Sequence, residues 1–144
     1  MACSNVQSNN SDDNLGTYSI FWLDALVHNE ENKGAQKQLR SIINQLRTFV
    51  DPEEFMDRVR YIRQGDLTIL IVSGKLGRTI VPEMQKLQQI SSIYVYCFDK
   101  EANEQSSRPY SKVRTYSYLK RFHWIVAVYF RLKLFVTSWM NSSI

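Results

Sequence analysis

Apolar residues between positions 18 and 98 fall into two kinds of run that alternate along the chain. Four short runs have few or no charged residues and are rich in aromatic and β-branched residues, which is typical of strands covered on both faces. These runs are YSIFWLDALV from Tyr18, RTFV from Arg47, LTILIVS from Leu67 and SSIYVYCF from Ser91. Between them, apolar residues recur every three or four positions, which indicates amphipathic helices.

The helices are predicted from spacing and from capping signals. The first is predicted from five apolar residues that share one helical face: Ala35, Leu39, Ile42, Leu46 and Phe49. The second begins with Asp51 as N-cap and Pro52 in the first position, and it is expected to end near Gly65. The third contains Pro82, which a helix tolerates only in its first turn, so this helix is predicted to begin near Arg78.

Alternation of strands and helices predicts a parallel sheet with helices on both faces. We therefore expect one α/β domain over residues 16–114, a flavodoxin- or receiver-like three-layer fold with strand order 2-1-3-4. Residues 1–15, rich in Asn, Ser and Asp, are predicted to be disordered because they offer little apolar surface to bury. Residues 115–144 form an aromatic, basic segment that can supply a helix and a fifth strand.

The length of 144 residues and the mass of 16.9 kDa suit a single domain. All 14 acidic residues precede position 105, whereas seven of the 18 Lys and Arg residues follow it. For the segment 115–144 we favour packing onto the domain, then association with a membrane surface, then nucleic-acid binding. A membrane-spanning helix is disfavoured because Arg131 and Lys133 interrupt the uncharged stretch 122–130.

The cysteines and the N-terminus indicate a cytoplasmic protein. Cys3 and Cys97 are too few and too far apart for a disulfide framework or a metal site, which suits a reducing compartment. The first residues have neither the basic nor the apolar region of a secretory signal. No complete catalytic motif is present, so we expect neither a catalytic residue nor a cofactor. Tyr94 and Tyr96 alternate along the last strand and are predicted to pack on one face of the sheet.

Candidate ligand-binding residues follow the strands, because ligands in such sheets lie at the carboxyl ends. They are Asp24 after the first strand, Ser73 and Gly74 after the third, and Asp99 after the fourth. Asp24 and Asp99 suggest the acidic pocket of response-regulator receiver domains, yet a single acid follows the first strand and Ser73 stands in the acceptor position. Phosphoryl transfer is therefore not expected, and Asp24 is predicted to cap a turn or to pair with a basic residue.

The segment from Ser73 to Arg78 is a second candidate. It joins a strand to a helix, where backbone N–H groups and the helix dipole attract anions, and Lys75 and Arg78 add positive charge. Its glycines, Gly74 and Gly77, match neither a Walker A loop nor a dinucleotide fingerprint. The segment therefore either binds an anion or uses its glycines only to shape the chain, and we favour the second interpretation.

Several phrases of the sequence together resemble one known domain. These phrases are IFWLDALV, AQKQLRSIINQLRTF, TILIVSGKLGRTIVPEMQKLQQISSIYVYCFDK and YSKVR. They are similar to the N-terminal α/β domain that precedes an arginine mono-ADP-ribosyltransferase domain, or kinesin-light-chain-like tetratricopeptide repeats, in larger invertebrate proteins. The resemblance covers about residues 18–114 and implies an adaptor or regulatory module. The Glu-x-Glu loop of an arginine ADP-ribosyltransferase is absent from the chain.

Three functions are compatible with the sequence. The first is a non-catalytic regulatory or protein-interaction module, with a protein partner expected. The second is a nucleotide or phosphate sensor that uses the loop from Gly74 to Arg78. The third is the N-terminal fragment of an NAD-dependent ADP-ribosyltransferase that lacks its catalytic domain.

Overall fold

The computed structural model describes residues 18–43, 45–63, 65–97, 101, 104–105, 108–117, 128–134 and 137. Five strands and three helices are bounded in this part of the chain. In chain order they are β1 Tyr18–Leu23, α1 Glu30–Arg40, β2 Gln45–Phe49, α2 Pro52–Val59, β3 Leu67–Ser73, α3 Gly74–Met84, β4 Ile90–Cys97 and β5 Val113–Ser117. Residues 128–134 are also helical. The expected disorder of residues 1–15 lies outside the described residues.

The five strands form one sheet in the order β2-β1-β3-β4-β5, and every neighbouring pair is parallel. The predicted order 2-1-3-4 and the flavodoxin-like α/β class are therefore confirmed. A register shift between Thr68 and Ile69 marks an irregularity where β3 pairs with β4. Because all strands point the same way, their carboxyl ends meet at a single edge of the sheet.

Alternate residues of the strands face two separate apolar layers, as the two-residue period of a strand requires. One layer packs α1 and the helical segment 128–134 against side chains such as Trp22 and Tyr96. The other packs α2 and α3 against the opposite face, with Phe21 and Val72 among its members. The sheet is thus covered on both sides, which gives the three layers expected from the sequence.

Strand β1 and helix α1 both end earlier than the apolar pattern predicts. The predicted first strand continued to Val27, but β1 ends at Leu23 because the Asp24 carboxylate accepts the backbone N–H of Leu26 and forms a turn. The expectation that Leu46 and Phe49 extend the face of the first helix is wrong. Helix α1 ends at Arg40, and both residues belong to β2, where they reach opposite layers.

Helix α2 begins as predicted. The Asp51 carboxylate accepts the backbone N–H of Glu53 at 3.1 Å, and Pro52 occupies the first turn. The helix ends at Val59 instead of near Gly65, and a turn at residues 60–61 follows.

Helix α3 begins at Gly74, four residues before the predicted start, and it contains Pro82 in its interior. A proline in a helix interior costs about 3 kcal/mol because it lacks an N–H and crowds the preceding turn. Ile80, Val81 and Met84 are all buried against the sheet. Burial of an apolar side chain contributes roughly 1.5–3 kcal/mol, so three of them outweigh the proline.

The fifth strand predicted as an extension of the sheet is β5, and it lies next to β4. The expected boundary between the α/β domain and the C-terminal segment, at residue 114, falls inside this strand. The helical segment 128–134 then returns to the sheet, where Val128 and Leu132 are fully buried in the layer that contains α1. Val128 and Leu132 thus pack onto the domain, which agrees with the favoured expectation for this part of the segment.

Candidate functional site

The carboxyl edge of the sheet brings together some of the predicted site residues. The register that pairs Leu23 with Val72 and Ser73 with Tyr96 places Asp24, Ser73 and Tyr96 at the ends of three successive strands. Asp99 lies outside the described residues, so the acidic pair of Asp24 and Asp99 stays a prediction. In the described part of the chain, no three His, Cys, Asp or Glu side chains are grouped as metal ligands would be.

The Asp24 side chain is 7% exposed, and both of its carboxylate oxygens are used within the domain. Oδ1 accepts the backbone N–H of Leu26 at 3.0 Å, while Oδ2 accepts the hydroxyl of Tyr96 and, at 3.4 Å, the side-chain amide of Asn32. The indole N–H of Trp22 donates to the same Tyr96 hydroxyl at 3.0 Å. The prediction that Asp24 caps a turn is confirmed, and the carboxylate also links β1 to β4 and α1.

Helix α1 is fixed to this network by two buried amides. Asn32 donates to the carbonyl oxygen of Leu26 at 2.9 Å, and Gln36 donates to that of Val27 at 2.7 Å. Both amides are almost fully buried, and hydrogen bonding offsets the cost of removing such groups from water. The polar groups at this edge thus hold the turn after β1 and the first helix in place.

The segment from Ser73 to Arg78 is the beginning of α3, so the expected loop is instead helix. Ser73 is the N-cap residue, and its side chain makes no capping hydrogen bond. Gly77 lies where the helix approaches the sheet closely, because an added Cβ there would be 3.3 Å from Val72 Cγ1 and 3.6 Å from Val95 Cγ1. This close approach accounts for Gly77.

The other residues of the segment divide between the sheet and the surface. Gly74 is buried at the first position of the helix. Lys75 and Arg78 are both exposed. Anion binding by this segment stays a prediction.

The tyrosines of β4 and β5 form a partly buried cluster with the helical segment 128–134. Tyr94 and Tyr96 lie in the same layer, as predicted, and the ring of Tyr94 is 6.0 Å from that of Tyr116. Burial raises the pKa of both Tyr94 and Tyr116, although the positive charges of Arg131 and Arg114 partly oppose this shift.

Sequence reasoning did not identify the partners of Asp24. The sequence indicates packing for Tyr96, and it gives no hydrogen-bond partner for Trp22 or Asn32. The available signal was positional, since Tyr96 and Asp24 both fall near the carboxyl ends of predicted strands. Seventy-two positions separate them, and only the strand order brings them together.

No family model, curated protein or solved structure matches the chain. Within the residues that the structure describes, no helix has the length and apolar character needed to cross a bilayer.

Proposed function

We propose that the domain is a non-catalytic protein-interaction module and that residues 128–134 provide its binding surface. One observation carries this proposal: the helical segment has apolar side chains on both sides. Val128 and Leu132 are fully buried against the sheet, whereas Phe130 is 58% exposed and Leu134 is 73% exposed. The exposed pair, four residues apart, forms what we call the outer face of the segment.

The outer face fits a protein that offers a groove. Apolar residues at positions i and i+4 are the usual anchors when a helix lies in a hydrophobic groove, and aromatic anchors often dominate the affinity. Arg131 and Lys133 are exposed beside Phe130 and Leu134. The preferred partner therefore has an apolar groove with acidic residues at its rim.

A protein partner is favoured over a lipid surface because the outer face is small. Membrane binding of an amphipathic helix scales with the apolar area that enters the bilayer. Within the described residues 128–134, Val128 and Leu132 already contact the sheet, which leaves Phe130 and Leu134 as the aliphatic and phenylalanine side chains of this stretch that could enter lipid.

The carboxyl edge supports a non-catalytic role. A general acid or base must be within hydrogen-bond reach of a substrate. Both carboxylate oxygens of Asp24 instead accept hydrogen bonds from within the domain, and the side chain is buried.

Site-specific photo-cross-linking in cells tests the proposal. The full-length protein carries p-benzoylphenylalanine at Phe130 or, as a control, at Leu26, which is 64% exposed in the turn after β1. We expect one discrete protein adduct from position 130, no such adduct from Leu26, and loss of the adduct when Leu134→Asp is added. The matched control Lys37→Asp changes an exposed residue of α1 and should leave the adduct intact.

Co-sedimentation with phosphatidylserine vesicles distinguishes the membrane alternative. If Phe130 binds a protein, the wild type and the Leu134→Asp variant should partition equally. Vesicle binding that the variant abolishes, together with no discrete protein adduct from position 130, would overturn the proposal in favour of a lipid surface.

A further inference from the structure

A cleft runs beside β2, the edge strand of the sheet, and the C-terminal end of α2. It consists of two adjoining cavities of about 450 and 270 Å³. Arg47 of β2, Arg58 of α2 and Tyr61 line both of them. The smaller, inner cavity is also lined by Ser19 and Thr68, which belong to the first residues of β1 and β3. We call the two cavities together the β2 cleft.

Two arginine side chains line the β2 cleft, and neither has a partner among the described residues. The guanidinium groups of Arg47 and Arg58 form no hydrogen bond or ion pair there, although the neighbouring Arg60 binds Asp57 at 3.0 Å. Arginine presents a planar fork of donors that fits phosphate and carboxylate groups. Two such groups at one cavity, from two different elements, favour an anion between them.

The acidic residues around the cleft restrict the expected anion binding to the inner cavity. Glu54 and Asp57 line only the larger, outer cavity. Asp66 lines the inner cavity, and its carboxylate lies 3.5 Å from the guanidinium of Arg63. The residues that line the inner cavity thus include two positive side chains and one negative side chain, and the negative one is already paired.

The wall and the rim of the inner cavity add polar and aromatic groups. The hydroxyl oxygens of Ser19 and Thr68 are 3.3 Å apart and share one hydrogen bond. Both residues are buried, at 7% and 1% exposure, so their hydroxyls partner each other within the wall of the cavity. Tyr61 is 81% exposed at the rim, where its ring is available for stacking with a planar group.

We infer that the β2 cleft binds a mononucleotide, with its phosphate between Arg47 and Arg58 and its base stacked on Tyr61. The phosphate and the base are thus recognised by two guanidinium groups and one aromatic ring that a single cleft brings together. This site is separate from the outer face of residues 128–134, so it does not depend on the proposed protein partner.

Isothermal titration calorimetry of the full-length protein at low ionic strength tests the inference, with AMP, inorganic phosphate and adenosine as probes. We expect AMP to bind more tightly than either of its parts. Arg47→Gln and Arg58→Gln should each weaken AMP binding at least about tenfold, because each removes a charge-assisted hydrogen bond. Tyr61→Ala should weaken AMP binding by about tenfold and leave the affinity for inorganic phosphate unchanged.

The control variant is Arg40→Gln, which removes a positive charge from an exposed residue at the end of α1 that lines neither cavity. It should retain the wild-type affinity for AMP. An equal loss with Arg40→Gln would mean that AMP senses only the general surface charge, and this would overturn the inference. Phenyl phosphate bound as tightly as AMP would overturn the nucleotide assignment, as would the absence of AMP binding.

Amide chemical shifts give a second readout that does not depend on affinity. AMP should shift the amide signals of Ser19 and Thr68 in the wild type and not in Arg58→Gln. The Leu134→Asp variant should bind AMP normally, so failure of the protein-interaction proposal and failure of this inference can be told apart.

Discussion

The hydrogen bond between Tyr96 and Asp24 is the contact whose removal tests the description of the carboxyl edge most directly. The substitution Tyr96→Phe deletes a hydroxyl that donates to the Asp24 carboxylate and accepts from the Trp22 indole. All three side chains are at most 7% exposed, so water cannot easily replace the lost group. A hydrogen bond to a charged group contributes about 1.5–3 kcal/mol and a neutral one about 0.5–1.5 kcal/mol. We expect the free energy of unfolding to fall by roughly 2–4 kcal/mol.

Equilibrium unfolding in urea, followed by circular dichroism, measures this loss. For a small domain with a slope of roughly 2 kcal/mol per M, the midpoint should fall by about 1–2 M while the slope stays constant. The matched control is Tyr116→Phe, a half-buried tyrosine of the same layer with no hydroxyl hydrogen bond to another described residue, and it should change stability by less than about 0.5 kcal/mol.

A double-mutant cycle with Asp24→Ala isolates the pair. A coupling energy of about 1–3 kcal/mol is expected for two directly bonded side chains. If Tyr96→Phe were no more destabilising than Tyr116→Phe, or if the coupling were close to zero, the hydrogen bond would not hold β4 to the turn after β1, and our account of Asp24 would be wrong.

Two further substitutions and one titration test the packing. Gly77→Leu should destabilise the domain by about 1–3 kcal/mol because the new side chain must displace Val72 and Val95, whereas Gly34→Ala should stabilise it by about 0.5–1 kcal/mol because nothing lies within 4 Å of the added Cβ. Thermal unfolding measures both changes. A Gly77→Leu midpoint equal to that of the wild type would refute the close approach of α3 to the sheet. Burial raises the pKa of Tyr94 above 10.0, so its neutral form is favoured in the folded state. The stability that this pKa shift contributes is fully present below pH 10 and is lost as the pH rises through the folded-state pKa. The free energy of unfolding should therefore fall more steeply above pH 10 in the wild type than in Tyr94→Phe, and identical slopes would contradict the burial.

The strands could be predicted from the sequence because both of their faces are buried and their apolar runs are nearly unbroken. Their ends were less accessible to prediction, since single hydrogen bonds decide them. Strand β1 ends where Asp24 binds the N–H of Leu26, although apolar residues continue. The early start of α3 places Pro82 in the helix interior, and the burial of Ile80, Val81 and Met84 that offsets its cost is a tertiary contact that no local pattern contains.

The sequence predicted where Asp24 and Ser73 lie in the sheet, but it did not predict which groups bind Asp24. Strand order correctly placed Asp24 and Ser73 at one edge of the sheet. The hydroxyl that binds Asp24 comes from Tyr96, and alternation along β4 could indicate its face but not its partner. The β2 cleft was missed because Arg47 and Arg58 lie on a strand and a helix that meet only in the folded sheet.

The position of β1 between two later strands bears on how the chain is made. Both neighbours of β1 come later in the sequence, and the second of them, β3, is complete only at Ser73. A ribosome that adds about 5–20 residues per second needs roughly 3–10 s to synthesise the ~50 residues between β1 and the end of β3. Until Ser73 is made, β2 is the one neighbour with which the nascent β1 can pair, so the aromatic and aliphatic side chains of β1 lack the rest of the sheet. We therefore expect trigger-factor- or Hsp70-type chaperones to bind this stretch co-translationally, and folding to follow only after β3 has emerged from the exit tunnel.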